Sequence, residues 1–279
     1  MATEKEAPEA GAPLTVAIGG LGAIGLEVAR ALDSGIPGLE LVAVSARDRD
    51  KAARNLESFR RPVPVAGLAE LARRAEIVVE CAPATVFAEV AEPAVEAGRT
   101  LVTVSCGALL ERMDLIERAR ATGARILIPS GALLGLDAVR AAAEGRVHSV
   151  RMVTRKPPKS LAGAPYLVER GIDVDALSAP LKVFDGTARE GARGFPANVN
   201  VAAALSLAGI GPEETRLEIW ADPAETRNSH RIVVEAEAAR FEMSIESVPS
   251  LENPRTGKLT PLSVIATLRG LTAPLRVGT

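Results

Sequence analysis

Two histidines, two cysteines, one tryptophan and one tyrosine are all that the 279 residues hold of those four types. Aromatic side chains make up 3% of the chain, so a hydrophobic fraction of 47% must be built mostly from Ala, Val, Leu and Ile. That fraction describes a globular chain, long enough for one large domain or two modest ones. Cys81 and Cys106 sit in apolar runs and belong to no CxxC pair or metal spacing. This excludes a disulfide framework and implies buried free thiols in a reducing cytoplasm. There is no HExxH, cysteine cluster or histidine pair, so no metal is expected. The 33 basic and 35 acidic residues nearly balance, which gives no general attraction to nucleic acid or to anionic membranes. No apolar run approaches the roughly 20 residues that cross a bilayer. The opening MATEKEAPEAGAP is acidic, Pro- and Ala-rich and without an apolar stretch; it reads as a disordered tail over 1–13, not as a signal peptide.

From Leu14 onward short apolar runs alternate with helical patterns. LTVAIGG, LELVAV, EIVVECA, TLVTVS and ARILIPS read as strands buried on both sides. Between them AIGLEVARALDSG reads as a helix, Asp48 or Asp50 caps a second, Thr85 caps a third, and a fourth runs from about Leu109 to Thr122. After about Arg146 the runs lengthen and alternate. RLEIWAD, RIVVEAE and RFEMSIESV, joined by short turns, read as an antiparallel meander, and TPLSVIATLRGL as an amphipathic helix. The expected fold is α/β: an N-terminal Rossmann-type doubly wound parallel sheet, plus a second α+β domain with a mainly antiparallel sheet. There are no internal repeats.

IGGLGAIG holds Gly20-x-Gly22-x-x-Gly25 between a predicted strand and a predicted helix, the context in which this spacing means dinucleotide binding. Gly20 permits the tight turn, Gly22 lets a pyrophosphate approach and Gly25 lets helix and strand pack. Ala23, Ile24 and Gly25 open the helix whose N–H groups face the phosphates. An acid that holds the NAD ribose belongs at the end of the second strand. Here that end reads VSARDRD: Asp48 comes a few residues late, while Arg47 and Ser45 suit a 2′-phosphate, so NAD and NADP both stay open. Arg47 has an alternative reading as a solvated surface residue.

Ligands of open α/β sheets bind outside the carboxyl ends of the strands. Ala82, Gly107, Gly131 and Ala132 are small residues at such ends and candidates to line a nicotinamide. Cys106 follows a strand and opens a helix, so it reads either as a thioester-forming nucleophile or as a small packed hydrophobe. Asn198 and Asn200 precede an Ala-rich helix; Asn198 reads as an N-cap or as a cofactor contact. Arg155, Lys156 and Lys159 lie beyond a strand end. His148 reads as structural. His230, in AETRNSHRI, sits among Arg227, Asn228 and Ser229 just before a strand. It reads as a hairpin histidine or as a proton-transfer group working near its ordinary pKa of about 6.5.

GLGAIG, SGALLGLDAV, TRKPPKSLAGAPYL, FPANVNVAAALSLAGIGP, WADP with RNSH, and PSLENPRTGKLTPLSVIATLR occur in order from about Leu14 to Leu271. Together they resemble the L-aspartate dehydrogenases. The resemblance implies a Rossmann domain over 14–132 completed by 250–279, and a catalytic and dimerisation domain over 133–249. It implies reversible oxidative deamination of L-aspartate to iminosuccinate, then oxaloacetate and ammonia, with NAD or NADP. It places the catalytic histidine at His230 and cofactor contacts at Ala132 and Asn198, beside the glycine loop. It also suggests a homodimer. A dicarboxylate needs cations, so Arg155, Lys156, Lys159 and Arg227 are candidates for its carboxylates, with Asn200 and Asn228 nearby. Asn228 or Asp222 is expected to fix the tautomer of His230. Two other readings stay open: a semialdehyde dehydrogenase working through Cys106, and a non-catalytic NAD(P)-binding regulator.

Overall fold

The computed structural model describes residues 12–250 and 257–278, so nearly all of the stretch read as a tail lies outside the described residues. The first sheet holds β1 (Leu14–Gly19), β2 (Leu39–Ser45), β3 (Ile77–Glu80), β4 (Thr100–Thr103) and β5 (Arg125–Leu127). Their order is β2-β1-β3-β4-β5, with every pair parallel. Parallel neighbours need crossovers, which α1 (Ala23–Asp33), α2 (Arg49–Leu56), α3 (Leu71–Arg74), α4 (Phe87–Glu96), α5 (Cys106–Leu110) and α6 (Asp114–Thr122) help to provide. Both faces are covered, as β1 shows. Val16 and Ile18 pack with Val28, Ala29 and Leu32 of α1, while Ala17 joins the opposite core with Leu71, Phe87 and Val90.

The second half adds α7 (Leu136–Ala143), β6 (Val147–Lys156), α8 (Pro165–Glu169), β7 (Leu181–Thr187), α9 (Ala188–Gly194), α10 (Asn200–Ala208), β8 (Arg216–Ala221), β9 (Ser229–Ala236) and β10 (Arg240–Glu246). Its sheet runs β10-β9-β6-β8-β7, antiparallel except for the parallel pair β6/β8. The sheet is mainly antiparallel, but β8, β9 and β10 are not the simple meander expected. β6 lies between β8 and β9 and pairs with both. Two strand spacings are only about 10 Å, which the segment 222–228 readily crosses. Val150, Met152 and Thr154 of β6 point to one face, where α10 supplies Ala202, Ala203 and Leu205. Three of the few aromatics, Tyr166, Phe184 and Phe195, stack within 5.2–5.6 Å of one another in this half.

Three local expectations change. Thr85 lies in a 3-10 turn after Pro83, and α4 starts at Phe87 without a side-chain cap. The helix expected from Leu109 is two helices, the first already open at Cys106. Val199, not Asn198, precedes α10, and no side chain caps it. Finally α11 (Leu259–Thr272) returns to the first sheet. Val264 and Leu268 enter the core on the α1 side, and Ser263 Oγ accepts the Gly131 N–H at 3.0 Å.

Candidate active site

The glycine loop leaves β1 where the Gly20 N–H donates to the Ser45 carbonyl at 2.9 Å. Gly20 has φ +99, and a Cβ there would lie 2.7 Å from the backbone of Cys81 and Ala82. A Cβ on Gly25 would fall 2.0 Å from the Gly20 oxygen. Both positions therefore exclude side chains for reasons internal to the fold. Gly22 is different: it caps α1, its carbonyl accepts from Leu26 N–H, and a Cβ on it would meet nothing within 4 Å. Open space thus lies in front of a helix end whose first N–H groups, those of Ala23, Ile24 and Gly25, have no intrahelical acceptor. A dinucleotide pyrophosphate fits this arrangement.

A cavity of about 280 Å³ opens beside the loop, between the carboxyl ends of the first sheet and the second half of the chain. Ile24, Cys106, Gly131 and Ala132 line one side; Lys156, Asn198, Asn200, Asn228 and His230 line the other. Asn200 also ties the halves together, its Oδ1 accepting the Gly107 N–H at 3.0 Å. Ala82 is buried near Gly20, and Arg47 is exposed beyond β2.

His230 is no surface hairpin residue. It is 3% exposed, opposite Thr154 in the β6/β9 register, with Nδ1 3.1 Å from Thr154 Oγ1. That contact, rather than one to Asn228 or Asp222, holds the ring and leaves Nε2 as its second nitrogen. Burial, followed by the positive charge of Lys156, pushes the imidazole pKa down to about 3. Lys156 lies two residues beyond Thr154 on the same face of β6, is 5% exposed, and is brought down to about 8 by burial. Among the described residues it has no ion-pair partner.

The other candidate cations are not brought to this cavity. Arg155 falls on the opposite face of β6, pairs with Asp222 at 3.1 Å and lies 4.8 Å over the Trp220 ring. Lys159 is exposed in a turn after β6, and Arg227 is exposed before β9. Cys106 reaches the cavity, but burial and then the charge of Glu80 push its thiol up to about 12. A thiol so placed stays protonated and packs as an apolar side chain.

Residues 137–271 match the family described as aspartate dehydrogenase, C-terminal, and residues 20–129 match the NAD binding domain of homoserine dehydrogenase. An L-aspartate dehydrogenase of Bradyrhizobium diazoefficiens is 57% identical over 270 residues, covering 97% of this chain and 96% of the relative. The chain belongs to the L-aspartate dehydrogenase family. A second member, L-aspartate dehydrogenase 3 of Bordetella bronchiseptica, is 55% identical over 95% of this chain and 98% of its own. The crystal structure of aspartate dehydrogenase from Thermotoga maritima superposes with a TM-score of 0.70 at 26% identity, covering 95% of this chain and 99% of that one.

Two residues of this family member escaped the sequence reading. Thr154 carries no signal in the sequence, because only strand register sets it against His230. Glu80 is fully buried at the end of β3. Its carboxylate accepts from Thr103 Oγ1 (2.6 Å), Ala82 N (2.9 Å), Ser105 Oγ (3.0 Å) and Ser105 N (3.3 Å). It thereby fixes two strand ends beside the glycine loop. Burial raises its pKa while those four bonds oppose the shift. The available signal was an acid closing an otherwise apolar strand.

Proposed function

We propose that the chain oxidatively deaminates L-aspartate to iminosuccinate, and thence to oxaloacetate and ammonia, reversibly and with NAD or NADP. The observation that carries this reading is Lys156 beside His230: two buried ionisable groups facing one cavity, with no carboxylate beside them among the described residues. An anionic substrate supplies what the pair lacks. In this reading residues 14–132 with 250–279 hold the dinucleotide and residues 133–249 supply the chemistry. Gly20, Gly22, Ala23, Ile24 and Gly25 take the pyrophosphate, and Ala82, Ala132 and Asn198 the remainder. A bound nicotinamide supplies the hydride acceptor.

The chain's own residues bind, orient and move protons. Lys156 pairs with a substrate carboxylate, a charge-assisted contact strengthened by burial. Asn200 and Asn228 orient the polar groups beside it. His230, neutral at working pH, offers Nε2 to the proton that must leave the substrate ammonium before a C=N bond can form. Burial is the larger cause of the depressed imidazole pKa and the Lys156 charge the smaller, and a carboxylate on Lys156 offsets that smaller part. Once that proton has passed from Nε2 to solvent, the same nitrogen takes one from the water that attacks the imine carbon. Thr154 keeps the ring oriented through both transfers.

The test is reduced nicotinamide formation with L-aspartate, NAD and NADP being offered separately. Turnover in the native chain that falls 10²–10⁴-fold in His230→Ala is expected. Turnover that survives the substitution removes His230 from the mechanism, and none with either cofactor overturns the reaction. The reading also has the chain work as a cytoplasmic homodimer. Val153, Trp220 and Val233 are only partly covered on the sheet face away from α10, and a second copy would bury them. Light scattering that returns a monomer mass would remove that part. Among the described residues no helix is long and apolar enough to cross a membrane.

A further inference from the structure

The segment that follows β2 lies beside the glycine loop, because the Ser45 carbonyl takes the Gly20 N–H. A site selective for NAD needs an acid there, with its carboxylate free to accept both hydroxyls of the adenosine ribose. Positions 45 to 47 are Ser, Ala and Arg. The first acid beyond them, Asp48, is already engaged: it is the N-cap of α2, and its Oδ1 accepts the Lys51 N–H at 2.9 Å. Asp50 stands inside the first turn of the same helix, and Glu40, lower on β2, is paired with Arg61 at 2.5 Å. Arg47 is exposed and, among the described residues, has no ion pair.

We infer that Arg47, with Asp48 withdrawn into its helix cap, makes this site select the 2′-phosphorylated dinucleotide, NADP, over NAD. Two effects act together. No carboxylate at 45–47 repels a phosphate or rewards a free diol. The guanidinium of Arg47 offers forked N–H donors that match phosphate oxygens. The cap takes the Lys51 N–H, one of the donors at the N-terminus of α2, and the discrimination is assigned to Arg47. This inference rests on the dinucleotide reading of the glycine loop.

Direct binding tests it without turnover. Calorimetric titration of the purified full chain with 2′,5′-ADP and with 5′-AMP isolates the added phosphate. Wild type is expected to bind 2′,5′-ADP about tenfold tighter or more, as one charge-assisted contact allows. Arg47→Ala should bring the two nucleotides within about twofold and leave 5′-AMP unchanged. Ala46→Asp, at the half-buried position before it, should weaken 2′,5′-ADP by tenfold or more while sparing 5′-AMP. Equal affinities in wild type, or an Arg47→Ala that weakens both nucleotides alike, overturn the inference while 5′-AMP binding keeps the dinucleotide site. Failure of both nucleotides to bind removes the dinucleotide reading and this inference with it.

Discussion

Each sheet buries ionisable side chains near the cavity, and the two sheets treat them differently. On the first sheet Glu80 is surrounded by four donors, two from backbone and two from hydroxyls. On the second sheet Lys156 has no ion-pair partner among the described residues, and His230 has one hydroxyl on one nitrogen. A buried charge without a partner costs several kcal/mol and survives only where something else requires it. Glu80 therefore fixes loops through bonds made within the fold, whereas in the proposed reading the unused bonding capacity of Lys156 and His230 serves a ligand.

The largest expected effect on this contrast is the loss of turnover in His230→Ala, which the proposed proton transfer requires. Lys156→Met separates function from stability more sharply. It should raise the aspartate KM about 100-fold, with the cofactor KM nearly unchanged. It should also raise the melting temperature at pH 7, because a lysine lowered from 10.5 to about 8 opposes folding by on the order of 3 kcal/mol. A melting temperature that drops would show that Lys156 has a counter-charge after all. Glu80→Gln should behave in the opposite way. Its amide sets a donor against a donor, so urea unfolding should show a loss of about 1–3 kcal/mol, with weaker dinucleotide binding and an unchanged aspartate KM.

Acid titration gives a smaller, graded version of the same comparison. An unfolded histidine takes up its proton near pH 6.5, while His230 resists down to about 3. Protons then favour the unfolded chain, so stability contributed by the neutral ring is full above about 6.5 and falls as pH drops towards 3. Thermal melts in His230→Phe should lose this part of the acid slope. An unchanged slope would assign it to the carboxylates. Least of all, Cys106→Ser should leave kcat within a few-fold, and a large loss would revive the thiol chemistry.

Local constraints made much of the fold readable. The spacing of Gly20, Gly22 and Gly25 is legible because it falls between a strand pattern and a helix pattern, although the backbone that crowds Gly20, at Cys81 and Ala82, is distant in sequence. The alternation of short apolar strands and helices over 14–130 follows from burial on both faces. What stayed hidden depends on register across long separations. Thr154 and His230 are 76 residues apart and meet only because β6 is inserted between β8 and β9. Arg155 and Lys156 looked equivalent, yet a strand sends neighbours to opposite faces. Val150 and Met152 had already marked the inward face, so period-two counting would have separated them. Glu80 resembled any strand-end acid, because its burial comes from the strands beside it.

The placement of α11 has a consequence for how the chain acquires its fold. Val264 and Leu268 complete a core whose strands are made long before them. While residues 130–258 emerge from the ribosome, the nascent first sheet carries an apolar strip with its cover still missing. Closure of that strip, and the Ser263 contact that steadies Gly131 at the cavity, must wait for the helix. The wall of the cavity at Gly131 is thus finished after the strand that carries His230, so the cavity closes as one late event instead of domain by domain.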